Sequence, residues 1–326
     1  MAIREWQVIF MQTLHTVIAI LSAIVLFVYG LQSFSKEIKQ FGIEKLQQSL
    51  GRVTSFPMGG FLLGGVAAAI FQSSTMVSSL TVSLVSAGVL TFRDSLMILL
   101  GTNIGTTATG WIVSFQSELL GPVCIVVGTL ISMFPFRYAS IGRPVFYFGF
   151  IFFSLSLISH AMEPIRNDPL LVEILGKAST PLLGIIYGLI VTVIIQSSSV
   201  VVGLIIVLIT QGTIPLDAAI PVVIGANIGT TSTALLISMK MNPLARLTAL
   251  AASLFNVLGV FLVFPFFGVL ENLVRFASDT PAVQVALAFT ISNTVTSLFF
   301  LLFFNPTLKI LKKHRWYSEH TNNLLI

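Results

Sequence analysis

Charge is what this chain lacks. Of its 326 residues 9% are Asp, Glu, Lys or Arg and 55% are hydrophobic, and the mean hydropathy is +0.97. A soluble domain carries about 25% charged residues, so the composition implies an integral membrane protein. Acidic groups are missing from the interior of every hydrophobic stretch: Asp94 and Asp217 lie at edges. His15 and His160 also lie near stretch ends. A proton relay would need an intramembrane carboxylate or histidine, so this pattern speaks against proton coupling. Cysteine is absent but for Cys124, which allows no internal disulfide and needs no role beyond small apolar packing. No G-x-S-x-G or H-E-x-x-H occurs, and no transition-metal site or cofactor is expected. The net charge of +5 is spread over short loops, which excludes a nucleic-acid partner. No hydrophilic stretch is long enough for a second domain. The first apolar segment is too long for a cleavable signal and is expected to be a permanent span.

What is present is a series of charge-free stretches. Residues 6–35, 95–117, 119–136, 144–159, 218–239, 247–270 and 280–308 each match one transmembrane helix. Two more, 53–92 and 178–216, are about twice that length. Each of the long ones contains Gln-Ser-Ser: Gln72, Ser73, Ser74 and Gln196, Ser197, Ser198. A shift of 124 residues superposes the chain on itself without a gap. Pro57, Gly60 and Gly64 fall on Pro181, Gly184 and Gly188, and 101-GTNIGTTAT-109 falls on 225-GANIGTTST-233. The duplication divides the chain into a first repeat over 1–140, a second over 141–270, and a final span with its tail over 271–326.

Arms such as 57–71 reach only about 22 Å at ~1.5 Å per residue, past the middle of a ~30 Å hydrocarbon core but not across it. Re-entrant hairpins with Gln-Ser-Ser at their tips are therefore expected, leaving seven full crossings. Thirteen Lys and Arg residues, among them Lys39, Arg93 and the 312-KKHR-315 cluster, then lie on one side, and Arg4, Arg166, Lys177 and Arg275 on the other. This bias puts the C-terminus in the cytoplasm and the N-terminus outside. The two hairpins enter from opposite faces, an inverted-topology repeat of the kind that supports alternating access. The fold class expected is an all-α polytopic membrane protein.

Backbone that leaves helical geometry inside a membrane must be satisfied by protein or by a water-filled cavity. Gln, Ser and Thr side chains do this at a hairpin tip. The start of a second arm presents free N–H groups that favour an anion, and the end of a first arm presents carbonyls that favour a cation. Gln72, Ser73, Ser74 and Thr75, with Gln196, Ser197, Ser198 and Ser199, are the candidate substrate site. The glycines of 101-GTNIGTT-107 and 225-GANIGTT-231 weaken a helix by about 1 kcal/mol each. Each of these segments is expected to be unwound, in a broken span facing a hairpin tip. Asn103, Thr106 and Thr107, and Asn227, Thr230 and Thr231, then join Gln72, Ser74, Gln196 and Ser198 as Na⁺ ligands.

Plainer roles suit other features. Gly60 and Gly64 can serve close helix packing, and Pro57 and Pro181 suit helix starts. The run 261-FLVFPFF-267 suits lipid-facing or packing surface, and 312-KKHR-315 an anchor to anionic lipid. The segment 36–50 reads as an interfacial amphipathic helix.

Paired Gln-Ser-Ser motifs in inverted repeats, each followed by G-x-N-I-G-T-T, resemble the type II sodium–phosphate cotransporter family from about Tyr29 to Phe304. The resemblance implies a Na⁺-coupled carrier of inorganic phosphate in the cell membrane. It implies that the eight tip residues line a central site completed by the two Asn-Thr-Thr groups. By the same resemblance a histidine would precede an F-N pair in the late spans. Here 252-ASLFN-256 has Ala252 at that place, and 289-FTISN-293 has Phe289 and ends in Ser-Asn. A bacterial member without the C-terminal regulatory domain is expected, able to form a homo-oligomer. Carriers of another oxyanion or a dicarboxylate, a channel, and an intramembrane serine enzyme are the alternatives.

Overall fold

The computed structural model describes residues 2–52, 58–115, 117, 119–134, 136–166 and 168–317. Pro57 lies outside them. The described residues form helices and no strand. In chain order these are α1 (Ala2–Arg52), α2 (Gly59–Phe71), α3 (Ser74–Ser86), α4 (Phe92–Gly105), α5 (Ala108–Ser114), α6 (Leu120–Ser132), α7 (Phe136–Met162) and α8 (Pro169–Gly176). There follow α9 (Pro181–Ile195), α10 (Ser198–Thr210), α11 (Leu216–Ser238), α12 (Pro243–Val263), α13 (Phe267–Ala277), α14 (Pro281–Leu302) and α15 (Phe304–Lys312).

Local chemistry sets many of these boundaries. Pro169, Pro181, Pro243 and Pro281 stand in the first turn of α8, α9, α12 and α14, where a missing N–H costs nothing. Asp168 and Asn242 cap α8 and α12 through their side-chain oxygens. Thr91 caps α4 by accepting from the Asp94 N–H at 3.1 Å and donates its own hydroxyl proton to the Asp94 carboxylate at 2.6 Å. Asp94 therefore serves the helix start.

Among the described residues six helical segments are long and apolar enough to cross a bilayer: Met11–Gln40, Phe92–Ser114, Ser140–Ile165, Leu216–Ser238, Pro243–Ala277 and Pro281–Leu302. The expected seventh, 119–136, contains α6, whose 13 residues reach only about 20 Å. Glycine explains where α6 sits: a Cβ at Gly121 or Gly128 would run into the α7 backbone at Phe153 or Phe146. The segment 36–50 is no separate interfacial helix but continues α1 without a break to Arg52. Entry to the second hairpin is a sharp corner, with Pro169–Ser179 and Pro181–Ile195 meeting at 109°.

Arms α2, α3 and α10 have 13 residues each and α9 has 15, too short to span. Each pair is joined only through its Gln-Ser dipeptide. The glycines of the repeat lock these arms to the following helix. A Cβ at Gly101 would overlap the Phe61 carbonyl, one at Gly64 the Ile98 carbonyl, and one at Gly105 the Gly65 carbonyl. The same contacts recur 124 residues on, with Gly225 against Ile185 and Gly188 against Val222. Gly60 and Gly184 belong to the same seams, tight against α4 and α11.

That close approach replaces unwinding as the reason for the glycines. In the first copy the chain tightens at Thr106–Thr107, with Thr107 N–H bonding the Ile104 carbonyl and Thr109 N–H the Thr106 carbonyl, both across three residues. Phe92–Ser114 still counts as one span. In the second copy α11 runs without a break through 225–231, so the broken span expected there is absent. Gly101→Ala should destabilise the fold by about 1–3 kcal/mol through overpacking. The comparison is Gly176→Ala, whose Cβ would meet nothing within 4 Å. A lower apparent Tm for the first variant alone is expected, and equal Tm values would contradict the seam.

The core has two main parts. Buried Val200, Val201 and Val202 of α10 pack with Ile220, Val223 and Ile224 of α11 and with Val285 and Phe289 of α14. Phe71, Leu96, Ile98 and Leu100 pack with Leu247, Phe255 and Phe300. Of the Phe-rich run, Phe261, Phe264 and Phe266 face outward and Phe267 is buried, as suits a lipid-facing helix.

Candidate substrate and cation site

Each hairpin tip has the same backbone path. Gln72 ends α2 at φ 49°, ψ 33°, and Gln196 ends α9 at φ 59°, ψ 25°. They are the only non-glycine residues with positive φ among the described residues. A side chain held there costs about 1–3 kcal/mol, and such positions gather at functional sites. Gly88 and Gly212, 124 residues apart at the far ends of the second arms, take the same conformation without that cost.

The next residue turns the chain into the second arm. Ser73 and Ser197 are extended, and their hydroxyl oxygens accept from Met76 N–H at 3.3 Å and Val200 N–H at 3.4 Å. Capping satisfies one amide and leaves those of Ser74 and Thr75, and of Ser198 and Ser199, without a partner inside the helix. Both tips therefore direct free N–H groups and hydroxyls outward, beside the positive end of a helix dipole.

All eight tip residues line one cavity of about 460 Å³. They are brought together from hairpins 124 residues apart. The remaining wall comes from α1, as Leu31, Gln32, Ser35 and Lys39, and from Met76 and Ser79 of α3 and Val200 of α10. Lys39 is the one ionisable residue on that wall and makes no ion pair among the described residues. Ser35 ties α1 to the first tip by donating to the Phe71 carbonyl at 2.8 Å. The cavity is thus polar, free of carboxylate and carries a single cation, which suits a small anion.

A second, much smaller cavity of about 20 Å³ adjoins it, with Ser74 on the wall of both. Asn103, Thr106, Asn227, Thr230 and Thr231 line it together with Ser78, Ala252 and Asn256. Its size suits one water or one dehydrated ion. Thr106 donates its hydroxyl proton to the Thr102 carbonyl at 2.8 Å, and Thr230 to the Ala226 carbonyl at 3.2 Å. A hydroxyl whose proton is spent this way has only lone pairs left to offer. The small cavity therefore offers neutral oxygen acceptors set among the apolar Leu99, Ala234, Ala252 and Phe255, a donor set that suits a hard monovalent cation. Thr107 lines neither cavity and bonds back to the Ile104 carbonyl at 2.8 Å.

Asparagines cross-link the walls of the small cavity. Asn103 donates to Asn256 Oδ1 at 2.8 Å, and Asn256 donates to the Asn227 carbonyl at 3.0 Å. Asn227 donates to Asn293 Oδ1 at 3.1 Å, and Asn293 to the Phe289 carbonyl at 2.8 Å. Asn256 and Asn293 close the two late motifs in which Ala252 and Phe289 stand. Ala252 is on the wall of the small cavity, and Phe289 is fully buried in the core.

Sequence reasoning passed over Lys39, Ser35, Asn256, Asn293 and Thr109 as site residues. A signal existed for the first two. Gln32, Ser35 and Lys39 recur at three and four residues, a polar stripe on one face of an otherwise oily helix. Thr109 is repeated as Thr233, and Asn256 and Asn293 are lone amides in mid-span.

The chain matches the family model described as Na+/Pi-cotransporter over residues 26–160 and 167–289, two segments that each hold one Gln-Ser-Ser. It is 32% identical over 287 residues to "Uncharacterized protein YqeW" of Bacillus subtilis (strain 168), covering 87% of this chain and 93% of that one. It is 28% identical over 300 residues to "Putative inorganic phosphate export protein YjbB" of Escherichia coli (strain K12). That match covers 91% of this chain and 55% of the relative, so the chain spans about half of it. A 108-residue stretch is 32% identical to "Sodium-dependent phosphate transport protein 2B" of Homo sapiens, covering 31% of this chain and 16% of that one. No solved structure matches. The family model covers most of the multi-pass helical chain and both copies of the motif, so this protein belongs to the Na⁺/phosphate cotransporter family.

Proposed function

We propose that this protein is a secondary active transporter that couples Na⁺ to inorganic phosphate by alternating access, with no cofactor. The observation that carries the reading is the pair of adjoining cavities sharing Ser74. The larger, with two helix starts and Lys39, suits a phosphate oxyanion. The smaller, walled by neutral oxygens, suits Na⁺. Occupying one orders Ser74 for the other, which gives the two ligands a reason to bind together. Titration of phosphate into purified protein should give tighter binding as Na⁺ replaces choline at constant ionic strength. Equal affinity in both salts would overturn the coupling.

The printed name of the Escherichia coli relative favours a second reading of direction, net export. The same coupled site serves either direction, set by the gradients.

Inverted hairpins and cytoplasmic placement of the C-terminus belong to the same proposal, in which α6, short as it is, completes a crossing antiparallel to α7, with Gly121 against Phe153 and Gly128 against Phe146. Arg93 and Asp217 are exposed and stand 124 residues apart at the starts of α4 and α11. With Cys124 replaced by serine, Arg93→Cys should react with an impermeant maleimide from the cytoplasm and Asp217→Cys from outside. Labelling of both from one side would contradict the inverted repeat.

Asn256→Ala removes two hydrogen bonds from the wall of the small cavity. The Na⁺ concentration giving half-maximal transport should rise several-fold, with phosphate KM at saturating Na⁺ little changed.

A further inference from the structure

The two hairpin tips share a backbone path, yet their glutamines are not in the same state. Gln72 is buried, at 6% exposure, and both ends of its side-chain amide are hydrogen-bonded. Its amide nitrogen donates to the Ala69 carbonyl, and its oxygen accepts from Thr109 Oγ1 at 2.8 Å. Thr109 Oγ1 also lies 3.2 Å from Ser199 Oγ, on the other hairpin. Thr109 has one hydroxyl proton, which goes to Gln72, so the Ser199 hydroxyl must donate to Thr109. The chain Ser199–Thr109–Gln72 thus joins the second tip to the first.

The mirror positions lack every part of this chain. Gln196 is exposed and its side chain has no hydrogen-bond partner among the described residues. Thr233, the copy of Thr109, has a buried hydroxyl oxygen without a partner. A buried, unsatisfied hydroxyl is costly to leave so. The helices differ to match: the chain tightens at Thr106–Thr107 just before Thr109, whereas α11 runs straight past Thr230 and Thr231 to Thr233. The helices that would carry the mirror already adjoin, since Ser74 and Ser78 of α3 share the small cavity with Thr230 and Ala234 of α11.

We infer that Thr109 and Thr233 are reciprocal positioning residues for the two tips. In the state seen here Thr109 withdraws Gln72 and clasps Ser199, and Gln196 is free to meet substrate. In the opposite-facing state Thr233 withdraws Gln196 and clasps Thr75, the tightened turn moves to Thr230–Thr231, and Gln72 is released. The orphaned hydroxyl of Thr233 is then the partner held ready for that state. The inference rests on the alternating-access reading above and adds the residues that choose the state.

A labelling experiment without phosphate separates the two. In a Cys124→Ser chain, Gln32→Cys places a reporter on the α1 wall of the large cavity. Its reaction rate with an impermeant maleimide from each face of proteoliposomes reports which way the cavity opens. Thr109→Val should slow labelling from the face to which this state opens by about five-fold, and Thr233→Val should raise it. Thr109→Ser keeps the hydroxyl and should restore the parent rate, which tells a clasp from a folding defect. Shifts in the same direction, or no shift with a folded Thr109→Val protein, would overturn the inference. Opposed shifts in a parent protein that does not transport phosphate would instead fault the substrate assignment.

Discussion

Ser74→Ala should reduce Na⁺-driven phosphate flux by about 100-fold or more, with the protein still folded. Ser74 is the side chain on the wall of both cavities, and it is 8% exposed within an intact helix start. A hydrogen bond to a charged group contributes about 1.5–3 kcal/mol, and here one hydroxyl stands to serve two charged ligands. Losing it on both counts multiplies the penalties, since each 1.4 kcal/mol is ten-fold. The first-turn backbone amides of α3 remain, so helix and hairpin should persist. Measurement is by initial rates in proteoliposomes, with phosphate and Na⁺ varied independently. Both half-saturation constants should rise. A change in one alone would place Ser74 on a single ligand and remove the physical link between them.

Lys39→Gln should raise the phosphate KM by about 10- to 100-fold and leave the Na⁺ half-saturation value at saturating phosphate nearly unchanged. Lys39 is the one cation on the wall of the large cavity and does not line the small one. Partial burial and the absence of a carboxylate from the cavity wall make its charge count for more than it would at an open surface. Lys39→Arg keeps the charge and should retain most of the affinity. Lys39→Glu places an anion opposite an anion and should abolish binding. Loss of uptake in the glutamine variant through a lower maximal rate, with KM unmoved, would assign Lys39 to conformational change instead.

The sequence carried the duplication, both tips and most of the cation-cavity residues, because these depend on short-range motifs. Gln-Ser-Ser in an uncharged stretch has few uses in a bilayer other than satisfying a break in the helix. What the motif did not disclose was its strain: only the backbone shows Gln72 and Gln196 at positive φ. The glycines at 101 and 225 misled for a physical reason. Glycine both weakens a helix and permits close approach, and one sequence does not say which use applies. The fold shows approach, against the Phe61 and Ile185 carbonyls.

Long-range partners were the least legible. Lys39 fell among the loop cations by sequence, yet α1 continues past it and turns it onto the site. Asn256 and Asn293 lie 153 and 66 residues from the asparagines they bind. Nothing local to either residue announces such a pairing. The asymmetry between Thr109 and Thr233 could not be read at all, because the sequence is the same in both states and a conformation is not.

Flux of labelled phosphate into proteoliposomes of the purified protein tests the central claim most directly. Three conditions are compared: an inward Na⁺ gradient, equal Na⁺ on both sides, and choline in place of Na⁺. Accumulation above the external concentration with the gradient alone is the expected result, with exchange only at equal Na⁺ and neither in choline. Phosphate entry at the same rate and to the same level in all three would contradict the coupling.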